Sequence, residues 1–62
     1  MNEQYYKIHR AKLIREFYFL KGKRLNRSAA ARVRLIAKLD HEQNGTPIEE
    51  TKRLFKYDEL DV

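Results

Sequence analysis

Six basic side chains between Lys21 and Lys38 are the residues whose type and spacing best suit a chemical task. Three lie in a short charged stretch around Gly22, and three recur at helical intervals further along the chain. Lysine and arginine neutralise phosphate groups, and several together give a salt-sensitive affinity for nucleic acid that does not depend on base sequence. These residues therefore predict binding to DNA or RNA. We call them the cationic strip: Lys21, Lys23, Arg24, Arg27, Arg34 and Lys38.

Charge is distributed unevenly along the 62 residues. The part from Met1 to Lys38 has eleven Lys and Arg residues against two acids, a net charge of +9. The part from Leu39 to Val62 has three basic residues against seven acids, a net charge of −4. Such an arrangement favours an anionic partner for the first part, or pairing between the two parts within or between chains.

Aromatic residues near the start of the chain form a second candidate binding set. Apolar positions fall on three sides of the first predicted helix, more than two short helices can cover, and excess apolar surface is typical of an interface. Tyr and Phe are also common in interface cores. The pattern favours a protein partner or a second copy, and stacking on unpaired bases is a further possible role. The predicted protein-interface residues are Tyr5, Tyr6, Phe17, Tyr18 and Phe19.

Catalytic and metal-binding constellations are not apparent in the sequence. His9 and His41 have no cysteine, second histidine or paired carboxylate at the spacing of metal ligands. Gly22 and Gly45 are the only glycines, so no glycine-rich phosphate loop exists. Ser28, the only serine, falls where a helix start is expected. We expect neither an enzyme, nor a cofactor, nor a metal site.

Three helices are expected to position these residues. The chain is interrupted at Gly22 and again at Gly45, which is followed by Pro47. Between these breaks, apolar residues recur with the period of a helix. The sequence therefore predicts one all-α domain over residues 1–62, a helical hairpin plus a third helix. The predicted helices cover about residues 2–21, 27–43 and 47–59.

Each predicted helix has an apolar face that we expect to form the core. The expected core residues are Tyr6, Leu13, Phe17 and Leu20 in the first helix, Ala29, Val33, Ile36 and Ala37 in the second, and Ile48, Thr51 and Phe55 in the third.

Local signals predict how these helices begin and end. Gly22 is expected to close the first helix in the left-handed conformation. Asn26 or Ser28 is expected to cap the second helix, since either side chain can accept a hydrogen bond from a first-turn amide. Thr46 and Glu49 are expected to form a capping box at the start of the third.

A chain of this size buries a limited core, and without cysteines or a metal site it needs another source of stability. We therefore expect a homodimer or another oligomer. The longest apolar run, Phe17 to Leu20, is too short to cross a membrane, and a cytoplasmic location is the default expectation.

The size, the lack of cysteine and the charge pattern resemble those of small regulatory proteins of phages and plasmids, although no specific motif carries the resemblance. The sequence thus predicts a small regulatory protein that binds nucleic acid through the cationic strip. The alternative is an inhibitor or adaptor that docks on a larger protein through the aromatic first helix.

Overall fold

The computed structural model describes residues 2–62, and it contains three α-helices and no strand in that range. The helices are α1 (Glu3–Gly22), α2 (Asn26–Asn44) and α3 (Ile48–Leu54), and a short 3₁₀ turn follows at Tyr57–Leu60. The predicted all-α class with a hairpin and a third helix is confirmed. None of these helices is both long and apolar enough to cross a membrane.

Helix α1 begins where Asn2 accepts a hydrogen bond from the amide of Tyr5 at 3.0 Å, and this bond satisfies one of the amides of the first turn. The apolar face of α1 buries Leu13 and Phe17, and places Tyr6 and Leu20 at the edge of the core. The predicted core face of the first helix is confirmed.

The turn after α1 differs from the prediction. Gly22 is the last helical residue, and the left-handed residue is Arg24, with φ +61°. The amide of Leu25 bonds to the carbonyl of Leu20 at 2.9 Å, as in a Schellman motif whose left-handed residue is Arg24. The prediction that Gly22 is the left-handed residue is therefore wrong. The hydrogen bond from Leu25 to Leu20 places the chain reversal at Arg24, two residues later.

Helix α2 runs through the centre of the fold and contacts α1, α3 and the 3₁₀ turn. Its predicted core residues, Ala29, Val33, Ile36 and Ala37, are all buried. Ala30 is buried as well, and the small alanine side chains allow close packing. The predicted cap is wrong. Asn26 and Ser28 both lie within the helix, and the capping residue, Leu25, makes no side-chain hydrogen bond.

Helix α3 starts at Ile48 after Pro47, without a side-chain cap, so the predicted capping box of Thr46 and Glu49 does not form. The carbonyl oxygen of Thr46 instead lies 3.1 Å from Nδ1 of His41, which ties the loop to α2. Gly45 closes α2 in the left-handed conformation with φ +71°, where a side chain would be strained.

The third predicted helix, about residues 47–59, is divided. Its α-helical part ends at Leu54, and Lys56 takes the left-handed conformation with φ +54° before the 3₁₀ turn. This reversal allows both Phe55 and Leu60 to enter the core. The Phe55 ring meets the Phe17 ring edge to face, with centroids 5.3 Å apart, which joins the last segment to α1.

Candidate nucleic-acid interface

The end of α1, the following turn and the outer face of α2 position the cationic strip. Lys21 is in the last turn of α1, Lys23 and Arg24 form the connection, and the other three residues are on α2. All six side chains are exposed. The structure therefore brings the predicted residues to the surface along one hairpin.

On α2 the three cationic residues lie opposite the buried face. At 3.6 residues per turn, Arg27, Arg34 and Lys38 fall within about 40° of one another around the helix axis. They extend about 16 Å along it, since each residue rises about 1.5 Å. Burial of Val33 and Ile36 on the other side fixes the direction of this row toward solvent.

None of the six residues of the cationic strip forms a salt bridge within residues 2–62. Only one of the ion pairs in that range links the basic first part of the chain to the acidic remainder, and it lies at Asp40, away from the strip. The acidic part therefore leaves the strip uncompensated. The ion pairs are Glu3–Lys7, Arg10–Asp40, Glu16–Arg32 and Glu49–Lys52.

Neutral groups contact three members of the strip. Nη1 of Arg34 donates to the hydroxyl of Tyr57 at 2.9 Å. Nζ of Lys21 lies 5.8 Å from the centroid of the Phe17 ring, and Nζ of Lys23 lies 5.6 Å from that of Phe19. Such contacts orient the side chains but leave their charges available to an anion.

The start of α2 adds to the positive field at this end of the hairpin. The first amides of a helix have no partner within it, and no side chain caps them here. The helix dipole also places partial positive charge at this end, beside Arg24 and Arg27.

The predicted aromatic interface set is divided by the fold. Tyr5, Tyr18 and Phe19 are each more than half exposed. Phe17 is only 1% exposed and lies in the core, so its side chain cannot contact a partner. The prediction that Phe17 is an interface residue is wrong. Tyr6 is half-buried at the edge of the core, where its hydroxyl is bound to Asp40, and it too belongs to the fold rather than to a free surface.

A polar cluster around Asp40 joins all three helices, and the sequence interpretation did not identify it. Asp40 is 3% exposed. Its Oδ1 accepts from the hydroxyl of Tyr6 and from Nε of Arg10, both at 2.8 Å. Its Oδ2 accepts from Nη2 of Arg10 at 3.2 Å and from Oγ1 of Thr51 at 2.9 Å. Asn44 donates to the Tyr6 hydroxyl at 3.1 Å. We call these five residues the Asp40 junction.

The environment of the Asp40 junction shifts the pKa values of its members. Burial alone raises the pKa of Asp40, but the hydrogen bonds from Arg10, Tyr6 and Thr51 outweigh it and hold the pKa below its ordinary value. The hydrogen bond to Asp40 raises the pKa of Arg10. Burial, followed by the bond to Asp40, raises the pKa of Tyr6. Asp40 is therefore a carboxylate and Tyr6 a neutral donor at neutral pH.

A shallow hollow of about 460 Å³ lies at the junction, also lined by Glu50 and Arg53. The polar atoms of Asp40 already have partners, and within residues 2–62 no buried side-chain nitrogen or oxygen lacks a hydrogen bond. The junction therefore has the character of a structural link between helices.

One signal in the sequence could have located Asp40. It follows Val33 by seven residues and Ile36 by four, so it lies on the apolar face of the second helix. A carboxylate on such a face needs partners. Arg10 follows Tyr6 by four residues along the edge of the core face of α1. It is therefore the nearest candidate on that helix for the partner of Asp40.

Comparisons with known proteins give no match. No protein-family model matches the chain, and neither a curated protein nor a solved structure is significantly similar to it. Within residues 2–62 no group of three His, Asp or Glu side chains is placed to hold a metal ion.

Proposed function

We propose that this chain is a small, non-enzymatic regulatory protein that binds nucleic acid through the cationic strip. One observation carries the proposal. Six exposed basic side chains follow one hairpin, and none of them is paired with an acid in the part of the chain that the structure describes.

Electrostatics explains why such a surface suits a polyanion. Like charges along one surface repel one another, and a row of phosphates replaces this repulsion by attraction. A duplex carries one negative charge per about 1.7 Å of its axis, so a row about 16 Å long meets several phosphates. Release of condensed counterions then favours binding, and added salt weakens it.

The test is fluorescence anisotropy with labelled DNA and RNA, single-stranded and duplex, between about 50 and 200 mM salt. The variant Arg27→Gln/Arg34→Gln/Lys38→Gln removes three charges from exposed positions. We expect weaker binding to a duplex, and a salt dependence whose slope falls by about 0.9 for each phosphate that the variant no longer neutralises. Unchanged affinity and slope would overturn the proposal.

A matched control separates the strip from net charge. The variant Lys7→Gln/Arg53→Gln/Lys56→Gln removes the same number of positive charges from other exposed positions. We expect it to bind much more tightly than the strip variant. Equal losses for the two variants would show attraction by overall charge alone and would exclude the strip as the site.

A second candidate function is a protein contact through α1. Its supporting observation is that Tyr5, Ile8, Tyr18 and Phe19 are all more than half exposed on one helix. Large apolar side chains in such number favour docking on a larger protein, as an inhibitor or adaptor would do, or contact with a second copy.

A pull-down from nuclease-treated host extract tests this second candidate. A host protein retained by the wild type and lost with Ile8→Ser/Tyr18→Ser would support it. For a second copy, sedimentation should show a dimer, and the melting temperature should rise with protein concentration. A monomer mass and a constant melting temperature, together with no specifically retained protein, would exclude it.

A further inference from the structure

A hollow of about 320 Å³ lies between α1 and α2, close to the cationic strip. This hollow is widely open to solvent, and its volume is at the lower end of the range of about 300 to 1,000 Å³ for small-molecule sites, so a small flat ligand such as a single base suits it better than a larger one. Two apolar and three charged side chains line it. They are Phe19 and Leu20, with Arg15, Glu16 and Arg32.

Phe19 connects this hollow to the cationic strip. Its side chain lines the hollow and is 64% exposed, so much of the ring is open to solvent. Nζ of Lys23 lies 5.6 Å from the centroid of the same ring. A ligand that contacts Phe19 in the hollow therefore comes close to a cationic side chain of the turn.

The charged residues of the hollow leave it positive. Nε of Arg32 donates to Oε1 of Glu16 at 2.9 Å, an ion pair that neutralises both and holds the Arg32 guanidinium in place. Arg15 is exposed and has no salt-bridge partner within residues 2–62. The hollow thus combines an open aromatic ring, an oriented guanidinium and an uncompensated cation.

We propose that this hollow binds an unpaired base of a single-stranded nucleic acid. The base stacks on Phe19, and the neighbouring phosphates contact Lys23 and Arg15. The inference rests on the proposed function and specifies its ligand. Aromatic rings and arginine planes beside a basic groove are the common means of binding single strands.

The exposed ring is what favours a single strand over a duplex. In a duplex the faces of each base are covered by its neighbours, so a duplex offers phosphates to the cationic strip but no base face to Phe19. An apolar side chain of a protein would cover Phe19 but would leave Arg15 and Lys23 without an opposite charge. A single strand offers both a base face for Phe19 and phosphates for Arg15 and Lys23.

The experiment compares Phe19→Leu with the wild type by fluorescence anisotropy, using a single strand and a duplex of the same sequence. Leucine keeps an apolar side chain at an exposed position but removes the ring. We expect single-strand binding to weaken by about tenfold, the loss typical of one base stacked on an aromatic residue. Duplex binding should stay unchanged. Leu54→Ala is the control, since Leu54 is an exposed apolar residue of α3 that does not line the hollow.

Strands containing abasic sites provide a second readout. Wild-type binding should weaken on an abasic strand, and Phe19→Leu should cause no further loss there. If Phe19→Leu weakens neither ligand, or both equally, base stacking in the hollow is excluded.

The proposed function can survive that exclusion. Loss of binding on neutralising Arg27, Arg34 and Lys38, without any effect of Phe19→Leu, would leave the cationic strip as the site. If the wild type binds none of the oligonucleotides at low salt, both proposals fail.

Discussion

The Asp40 junction and the cationic strip use charged side chains in opposite ways. At the junction a buried carboxylate faces one arginine, and neutral donors occupy its remaining positions. On the strip six cations face solvent without a salt bridge among residues 2–62. The two regions have an element in common, since α2 carries Asp40 on one face and Arg34 and Lys38 on another.

This difference separates charges that hold the fold together from charges that are available to a ligand. A buried charge whose partner is removed loses its compensation and cannot regain water, which destabilises the fold strongly. An exposed charge keeps its water and contributes little to stability. If the comparison is right, substitutions at the junction change stability, and substitutions on the strip change binding.

The largest effect is expected for Asp40→Asn. This variant keeps the shape of the side chain but leaves Arg10 without an opposite charge. Breaking a buried pair costs about 3 to 5 kcal/mol, and we expect about 3 kcal/mol because the Arg10 side chain is 26% exposed and can recover some water. For a domain of this size the melting temperature should fall by more than about 12 °C, as circular dichroism will show.

Glu42→Gln is the matched control for Asp40→Asn, since it removes an acid from an exposed position two residues along α2. It should change the free energy of unfolding by less than about 0.5 kcal/mol. If the two variants melt at the same temperature, the Asp40 junction is not the structural link that we describe.

The next effect is a loss of stability in acid. The pKa of Asp40 is lower in the folded chain than in the unfolded chain. The stabilisation is therefore complete above the ordinary carboxyl pKa of about 4, and it is lost as the pH falls through the lower, folded-state value. Urea unfolding of the wild type and Asp40→Asn should give free energies that converge below about pH 4.

Because acid also affects parts of the chain that the two proteins share, the informative quantity is the difference between their free energies of unfolding. A difference that stays constant from neutral pH to the acid limit would show that the charge of Asp40 makes no contribution.

A smaller effect is expected for Tyr6→Phe. The substitution removes one donor to Asp40 and the acceptor for Asn44, while Arg10 and Thr51 still bind the carboxylate. One hydrogen bond to a charged group contributes about 1.5 to 3 kcal/mol, and exposure of Asn44 to water favours the lower value. Denaturant unfolding should show a loss of about 1.5 kcal/mol. Tyr5→Phe, at an exposed position, should show none.

The sequence was sufficient to predict the first two helices, the start of the third and most of the core. Leu13 and Phe17, or Val33 and Ile36, recur at the period of a helix, and this period depends only on local geometry. The exposure of Arg27, Arg34 and Lys38 follows from the same rule, because they lie opposite the apolar positions. These features could be predicted without knowing which helices pack against each other.

The wrong predictions concern the ends of helices, where alternative arrangements compete within a few residues. Thr46 and Glu49 have the residue types of a capping box, but Pro47 is the capping residue of α3 and the Thr46 carbonyl lies against His41 of α2. Asp40 was identifiable as an acid on an apolar face. Its partners Arg10 and Thr51 are 30 and 11 residues away, so only the packing of three helices brings them to it.

The smallest effect on stability is expected for Arg27→Gln/Arg34→Gln/Lys38→Gln, the variant that should lose nucleic-acid binding. Two of its substitutions remove exposed charges that form no salt bridge within residues 2–62, and the third loses one exposed hydrogen bond from Arg34 to Tyr57. Less repulsion along the strip offsets that loss, so the free energy of unfolding should change by less than about 0.5 kcal/mol. Urea unfolding at low and moderate salt measures it. A loss as large as that of Asp40→Asn would mean that the strip holds the fold together, and the distinction between the two regions would fail.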